Sequence, residues 1–263
     1  MTEMTAMTAA VAVQLYTLRE EVAALGPRSV MERIAAAGYA GVESASLYDL
    51  APRDFATMLH QHGLTLASAH VGLTRDPADY RAALDAHAEA GAKVVVIPAL
   101  APDGFGDLDA VKRSADIANH ALDETRARGL ALGYHNHYWE FPLVEGTPAL
   151  VHFFELVHPD VFAEVDIYWA QVGGVDPAVL VSELGARVRL LHVKDGPADE
   201  PASAMTAVGQ GAVDVAAVLT AAPTAQWHIV ELDRCATDMF GAVEASHDYL
   251  VGTGLSTGGA GRA

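Results

Sequence analysis

Three residues of this chain have the donor types and the placement to hold a metal ion: Asp166 in FAEVDIYWA, His192 in RLLHVKD and Glu231 in WHIVELD. Two carboxylates and an imidazole suit a divalent ion such as Mn²⁺, Mg²⁺, Co²⁺ or Zn²⁺ better than a soft, thiolate-seeking one. Cysteine occurs once, at Cys235, which excludes disulfide frameworks and cysteine-rich zinc modules. Any metal must therefore be held by His, Asp and Glu. Cys235 has no His/Asn context of its own and reads as a packed residue.

Each of the three closes a short apolar run, and the other such runs end in the same way. In chain order the ends are Tyr16 near Gln14, Glu43, His70, Pro98, His135 with Asn136 and His137, Asp166, His192 and Glu231. Taken alone, each reads as a solvated group or a helix cap. Gathered around one mouth, carboxylates and imidazoles repel or require a cation. Alternate side chains of a strand share a face, so Leu190 accompanies His192, Ile229 accompanies Glu231, and Glu164 accompanies Asp166 one layer down, as a partner of the site or as a buried structural ion pair.

The elements that must position these groups follow from a change of period that recurs about eight times. Strands are expected at Val11–Tyr16, Gly41–Glu43, Thr65–His70, Lys93–Pro98, Ala131–His135, Phe162–Asp166, Val188–His192 and Trp227–Glu231. Amphipathic helices are expected between them, at Pro27–Ala37, Pro52–His62, Pro77–Ala90, Leu108–Arg128, Pro148–Val157, Pro177–Leu184, Val213–Ala221 and Asp233–Val251. Several open on proline or follow Asp, and several end in glycine. No glycine-rich phosphate loop follows the first strand, which runs into Gln14-Leu-Tyr-Thr-Leu-Arg19, so a doubly wound dinucleotide fold is disfavoured. The expectation is an α/β fold of one domain, a (β/α)8 TIM barrel over residues 11–251, with a flexible N-terminus at 1–10 and a flexible, Gly/Ser/Thr-rich tail at 252–263.

Charge narrows the partners. Sixteen Lys and Arg oppose 34 Asp and Glu, a formal charge of −18 with the 12 histidines neutral, which disfavours nucleic acid. Apolar residues make up 51% of the chain, enough for a full core, yet no stretch approaches the roughly 20 uninterrupted apolar residues of a membrane span. The opening MTEMTAMTAA lacks the basic and apolar regions of a secretory signal, so a cytoplasmic location is expected.

From VQLYTLREEV through GYAGVES, ASAHVGL, YHNHYWEF, VDIYWAQVGGVDP, LLHVKD and VGQGAVD to IVELD, the chain resembles the xylose-isomerase-like TIM barrels. That group holds sugar-phosphate isomerases and epimerases, inosose dehydratase and endonuclease IV. The resemblance implies one divalent metal, manganese favoured, on a fifth-strand Glu, a sixth-strand Asp, a seventh-strand His and an eighth-strand Glu. The last three correspond to Asp166, His192 and Glu231. On the fifth strand the pattern departs: LGYHNH offers His135 as the fourth ligand, His137 as its substitute, and Glu140 from the following loop as a third candidate.

The implied activity is isomerisation or epimerisation of a small sugar or keto-sugar through an enediolate. A lyase or dehydratase of the inosose-dehydratase type stands second, and a non-catalytic sugar-binding barrel is the alternative of another class. Glu231 and His137 are the candidate proton acceptors, imidazole having an unperturbed pKa of about 6.5. Lys194 would protonate a leaving hydroxyl or pair with a substrate anion; its plainer reading is a solvated lysine paired to Asp195. Glu43, His70, Glu140 and Trp169 are candidate substrate contacts, the indole as a wall or stacking face for a sugar ring. Gly209 and Gly211 suggest only weakly an anion loop, since no basic residue is near. The expected partner is a neutral sugar or polyol, with self-association into a homo-oligomer compatible with the sequence.

Overall fold

The computed structural model describes residues 8–74 and 76–259. Eight parallel strands close into one barrel: β1 (Ala10–Gln14), β2 (Gly41–Ser44), β3 (Thr65–His70), β4 (Val94–Ile97), β5 (Ala131–His135), β6 (Phe162–Asp166), β7 (Val188–Val193) and β8 (Trp227–Val230). Each pairs with its neighbours in sequence, and β8 pairs with β1 to complete the circle. This is the expected single-domain (β/α)8 barrel, with strand limits within two residues of those read from the sequence.

The return segments are helices at Pro27–Ala37, Pro52–Gln61, Pro77–Glu89, Leu108–Arg126, Ala149–Leu156, Pro177–Leu184, Val215–Ala221 and Met239–Gly252. Their starts have local causes. Asp76, Asp107, Asp176, Asp214 and Asp238 each accept a hydrogen bond from a backbone N–H of the first turn. The last two shorten expected helices, because Asp214 and Asp238 cap them from outside. Two short helices were not anticipated, Arg19–Leu25 and Ile167–Val172; the second starts directly at Asp166, whose carboxylate accepts from Trp169 N at 2.8 Å.

The floor of the barrel is apolar. Ala12, Ala67, Val96, Phe162, Leu190 and Ile229 form one buried cluster inside the strands. Gly133 makes room for it: a Cβ there would lie 2.4 Å from the Phe162 ring. Above this layer the inward positions turn polar, and there the chemistry sits.

The C-terminal segment departs from the sequence expectation. Residues 253–259, read as part of a loose tail, are tied to the base of the barrel: Val11 N donates to Thr257 O at 2.9 Å, Thr257 N to Ala9 O at 2.9 Å, and Gly259 N to Gly38 O at 2.8 Å. Composition underestimated it because backbone groups, which every residue carries, make these bonds. Of the N-terminal stretch expected to be flexible, Ala10 already belongs to β1 and Ala9 bonds Thr257, while residues 1–7 and, at the other end, 260–263 lie outside the described residues. Among the described residues no helix is long and apolar enough to cross a membrane.

Candidate metal centre

Register brings the strand ends together. Asp166 on β6 stands opposite His192 on β7, His192 opposite Ile229 on β8, and Gln14 on β1 opposite Glu43 on β2. Because alternate residues share a face, His192 and Glu231 rise directly above Leu190 and Ile229 of the floor.

One ligand atom each from His135, Asp166, His192 and Glu231 lies within 4.8 Å of all the others, and all four residues are buried. The His135 ring explains why a cation belongs there. Burial, then the neighbouring imidazoles of His192 and His70, hold its pKa well below the ordinary value, so it is neutral. Its Nδ1 lies 3.0 Å from Pro98 O, which can only accept, so Nδ1 carries the proton. Nε2 is then a bare lone pair 3.3 Å from Asp166 Oδ2. Two acceptors facing each other at that distance are satisfied by a positive charge between or beside them. A neutral imidazole fixed through its other nitrogen is the form in which histidine binds a divalent ion. These side chains therefore fit a mononuclear site of two nitrogens and two carboxylates.

Asn136 sets the height of Asp166. Its Oδ1 accepts from Asp166 N at 3.0 Å and its Nδ2 donates to Asp166 O at 3.3 Å, so the end of β5 grips the end of β6.

A second group, Glu43, His70, Glu164 and His192, lies beneath the first and shares His192 with it. His192 Nδ1 faces Glu231 Oε2 and its Nε2 faces Glu43 Oε1, both at 2.7 Å. Burial opposes charge on this ring, but Glu164, Glu231 and Glu43 outweigh it and raise its pKa well above the ordinary value, so an ion at Nδ1 would have to displace the proton that this nitrogen shares with Glu231. Glu43 also accepts from Gln14 Nε2 at 2.5 Å and from Ser68 Oγ at 2.5 Å. Burial pushes Glu43 up, yet His70 and His192 hold it well below the carboxylate range. Glu164 is raised to about 7 by burial and by Glu43, and its Oε2 lies 2.7 Å from His70 Nε2. The sequence left Glu164 as site partner or structural ion pair; its contacts with His70 and, at 3.3 Å, His192 join both readings.

Lys194 is fully buried, with Nζ 2.9 Å from Asp166 Oδ2, 2.6 Å from Glu231 Oε2 and 2.8 Å from Asp233 Oδ2. Burial disfavours its charge, but the three carboxylates prevail and raise its pKa well above the ordinary lysine value. Pairing with Asp195 does not occur. Asp195 turns away and accepts from the backbone N–H groups of Gly196, Gly209, Gly211 and Val213 at 2.8–3.2 Å. The anion cradled by the two glycines of VGQGAVD is thus the chain's own carboxylate. A Cβ at Gly211 would lie 2.1 Å from Asp195 Oδ1.

A cavity of about 340 Å³ opens above the centre, its polar lining being Tyr16, His70, His135, His137, Lys194, Glu231 and Asp233. A larger cleft of about 510 Å³ lies at the base of the barrel around Arg126, Arg187 and Arg189, remote from all of these groups. His137 stacks on Trp139 with ring centroids 4.1 Å apart, and burial with the adjacent His135 and Lys194 lowers its pKa to about 2.

Of the expected substrate contacts, only His70 lines the cavity. Glu43 lies in the layer beneath. Glu140 is fully buried, accepting from Tyr134 OH at 2.7 Å and His137 N at 2.9 Å, so it braces the loop and joins neither ligand group. Trp169 is 4% exposed, with the Lys194 ammonium 5.2 Å above its ring; it supports the lysine and is not part of the cavity wall. Asp233 was overlooked in the sequence. The two-residue step from Glu231, the same step that singles out Lys194 after His192, would have found it.

The profile of the family described as xylose isomerase-like TIM barrel matches residues 31–235. The chain belongs to the xylose isomerase-like TIM barrel family. Within this fold the barrel is similar to a sugar phosphate isomerase/epimerase from Parabacteroides distasonis ATCC 8503, at 25% identity and a TM-score of 0.81, with 98% of each chain covered. It also resembles, in fold, the IolI protein solved with a bound zinc atom, at 17% identity and TM-score 0.74, covering 92% of this chain and 97% of that one. A D-allulose 3-epimerase from Methylomonas sp. shares 16% identity at TM-score 0.70, covering 94% and 98%. No curated protein matches the chain. The family places sugar isomerases and epimerases on this barrel, and the buried His, Asp and Glu clusters are consistent with a divalent metal in it.

Proposed function

We propose that this barrel is a divalent-metal-dependent isomerase or epimerase of a small sugar or keto-sugar, working through an enediolate. The observation that carries the reading is the set of His135, Asp166, His192 and Glu231 donors within 4.8 Å of one another at the foot of the cavity. Manganese is the favoured ion for such a set; zinc, held by the IolI protein, magnesium and cobalt are its competitors. When bound, the ion would polarise a substrate carbonyl and its neighbouring hydroxyl as a Lewis acid.

The chain's own groups divide the remaining work. Burial favours a proton on Glu231, but Lys194 and His192 outweigh it and keep the carboxylate ionised. Both partners sit on Oε2, which leaves Oε1 for a proton from the carbon beside the carbonyl. His137, uncharged, offers a hydrogen bond to a sugar hydroxyl across the cavity. Lys194 stays an ammonium, its burial outweighed by the carboxylates around it, which raise its pKa. Glu140, the carboxylate that follows His137 in the loop, faces inward, so among the described residues removal and return of the proton at one face suits this cavity better than a two-base epimerisation.

One observation favours a lyase or dehydratase as the second reading. Asp233 lines the cavity beside Glu231 as a second carboxyl group facing the substrate space, placed to relay a proton to a departing hydroxyl. Keto-sugars and inosose-type ketones incubated in D₂O with added Mn²⁺ separate these readings. Deuterium in an isomeric product supports isomerisation, and loss of water supports the lyase. Sugar binding with no turnover at any metal loading would make the barrel a binding protein and sink both.

A further inference from the structure

Lys194 and the two histidines of the centre converge on the same two oxygens. Asp166 Oδ2 faces His135 Nε2 at 3.3 Å and Lys194 Nζ at 2.9 Å, while Glu231 Oε2 faces His192 Nδ1 at 2.7 Å and Lys194 Nζ at 2.6 Å. The third N–H of the ammonium goes to Asp233 Oδ2 at 2.8 Å. The three carboxylates differ in access: the side chains of Asp166 and Glu231 are 0% and 6% exposed, whereas that of Asp233 is 23% exposed, at the cavity edge.

We propose that Lys194 is a built-in counter-cation that exchanges partners with the divalent ion, ceding Asp166 and Glu231 to it and remaining on Asp233. The inference rests on the metal-centre reading and adds to it what controls the site's affinity. An ammonium satisfies the buried carboxylates until the ion arrives, and a dication then takes over the deeper pair. A lysine has the reach for this, since its charge rides on a flexible four-carbon stem. With the ion in place, three carboxylates are balanced by one ammonium and one dication, so Lys194 need not leave the cavity. Asp233 is then a positioning residue that acts through Lys194.

The test is titration of metal-stripped protein with Mn²⁺ by calorimetry, on wild type, Lys194→Met, Asp233→Asn and the double variant. Lys194→Met is expected to bind Mn²⁺ at least tenfold more tightly, because the competing charge is gone. Asp233→Asn is expected to bind at least threefold more weakly, because the lysine then keeps to Asp166 and Glu231. In the double variant the Asp233 effect should vanish, leaving the affinity within twofold of Lys194→Met; a direct pull of Asp233 on the ion would persist there. Equal or weaker binding by Lys194→Met overturns the exchange while leaving the metal centre standing. Absence of Mn²⁺ binding in all four proteins removes both. Should Lys194→Met fail to fold without metal, Asp233→Asn, altered at the cavity edge, carries the test alone, and wild-type affinity there overturns the proposal.

Discussion

His192 Nε2 lies 2.7 Å from Glu43 Oε1, and the two residues are 149 positions apart in the chain. This contact crosses the barrel interior from β7 to β2 and fixes the ring that shows its other nitrogen to Glu231. Glu43→Gln removes the negative acceptor while nearly preserving volume. A ten- to hundredfold loss of Mn²⁺ affinity is expected, the usual scale for such supporting contacts, at about that magnitude whether measured by calorimetry or by competition with a chelating dye. Wild-type affinity in the variant would remove Glu43 from the account.

Glu231→Gln and His192→Ala strike the donors themselves. Both variants should lose metal occupancy by elemental analysis and lose turnover. Full occupancy in both refutes the assigned ligands.

Glu140 gives the fold a pH dependence. Burial raises its pKa to about 8, well above the value of about 4.3 for an exposed glutamate. Between those two values the folded protein holds a proton that the unfolded chain has released. The stabilising contribution is therefore complete below about pH 4 and is lost as pH rises through about 8, at up to about 1.4 kcal/mol per pH unit. Glu140→Gln keeps the shape and cannot titrate. Denaturant unfolding at pH 5.5 and pH 8.5 should show wild type losing stability relative to the variant as pH rises; a difference independent of pH would contradict the burial argument.

Asp195 carries the loop after β7. Asp195→Ala strands the N–H groups of Gly196, Gly209, Gly211 and Val213, and a loss of about 2–4 kcal/mol is expected, less where water reaches them. Urea unfolding measures it. A loss below about 0.5 kcal/mol, the range of an ordinary surface change, would mean that the loop holds itself.

At the barrel floor, Gly133→Ala drives a methyl into the Phe162 ring, a Cβ contact of 2.4 Å. Overpacking of this kind costs about 1–3 kcal/mol. A variant as stable as wild type in thermal unfolding would show that Phe162 can move aside.

The strands and their order were legible in the sequence because each is a short apolar run ended by a polar residue and followed by a capped helix, all local properties of the chain. The convergence of Asp166, His192 and Glu231 was legible for the same reason: alternation assigns the face of each residue before any fold is known, and their donor atoms lie within 4.8 Å of one another. What local pattern could not supply was direction. Whether Glu140 and Trp169 face the cavity or the core depends on neighbours from other segments, Tyr134 and Lys194 among them, and in the folded barrel both are buried away from it. Lys194 and Asp195 are adjacent in sequence and alike in promise, yet one reaches into the barrel while the other closes a loop outside the cavity, because consecutive side chains beyond a strand end diverge. Sequence by itself determined which residue types stand at the barrel mouth. Only tertiary structure decided which of them share one charge, since an ammonium, two imidazoles and three carboxylates find their partners through distances that closure of the barrel alone creates.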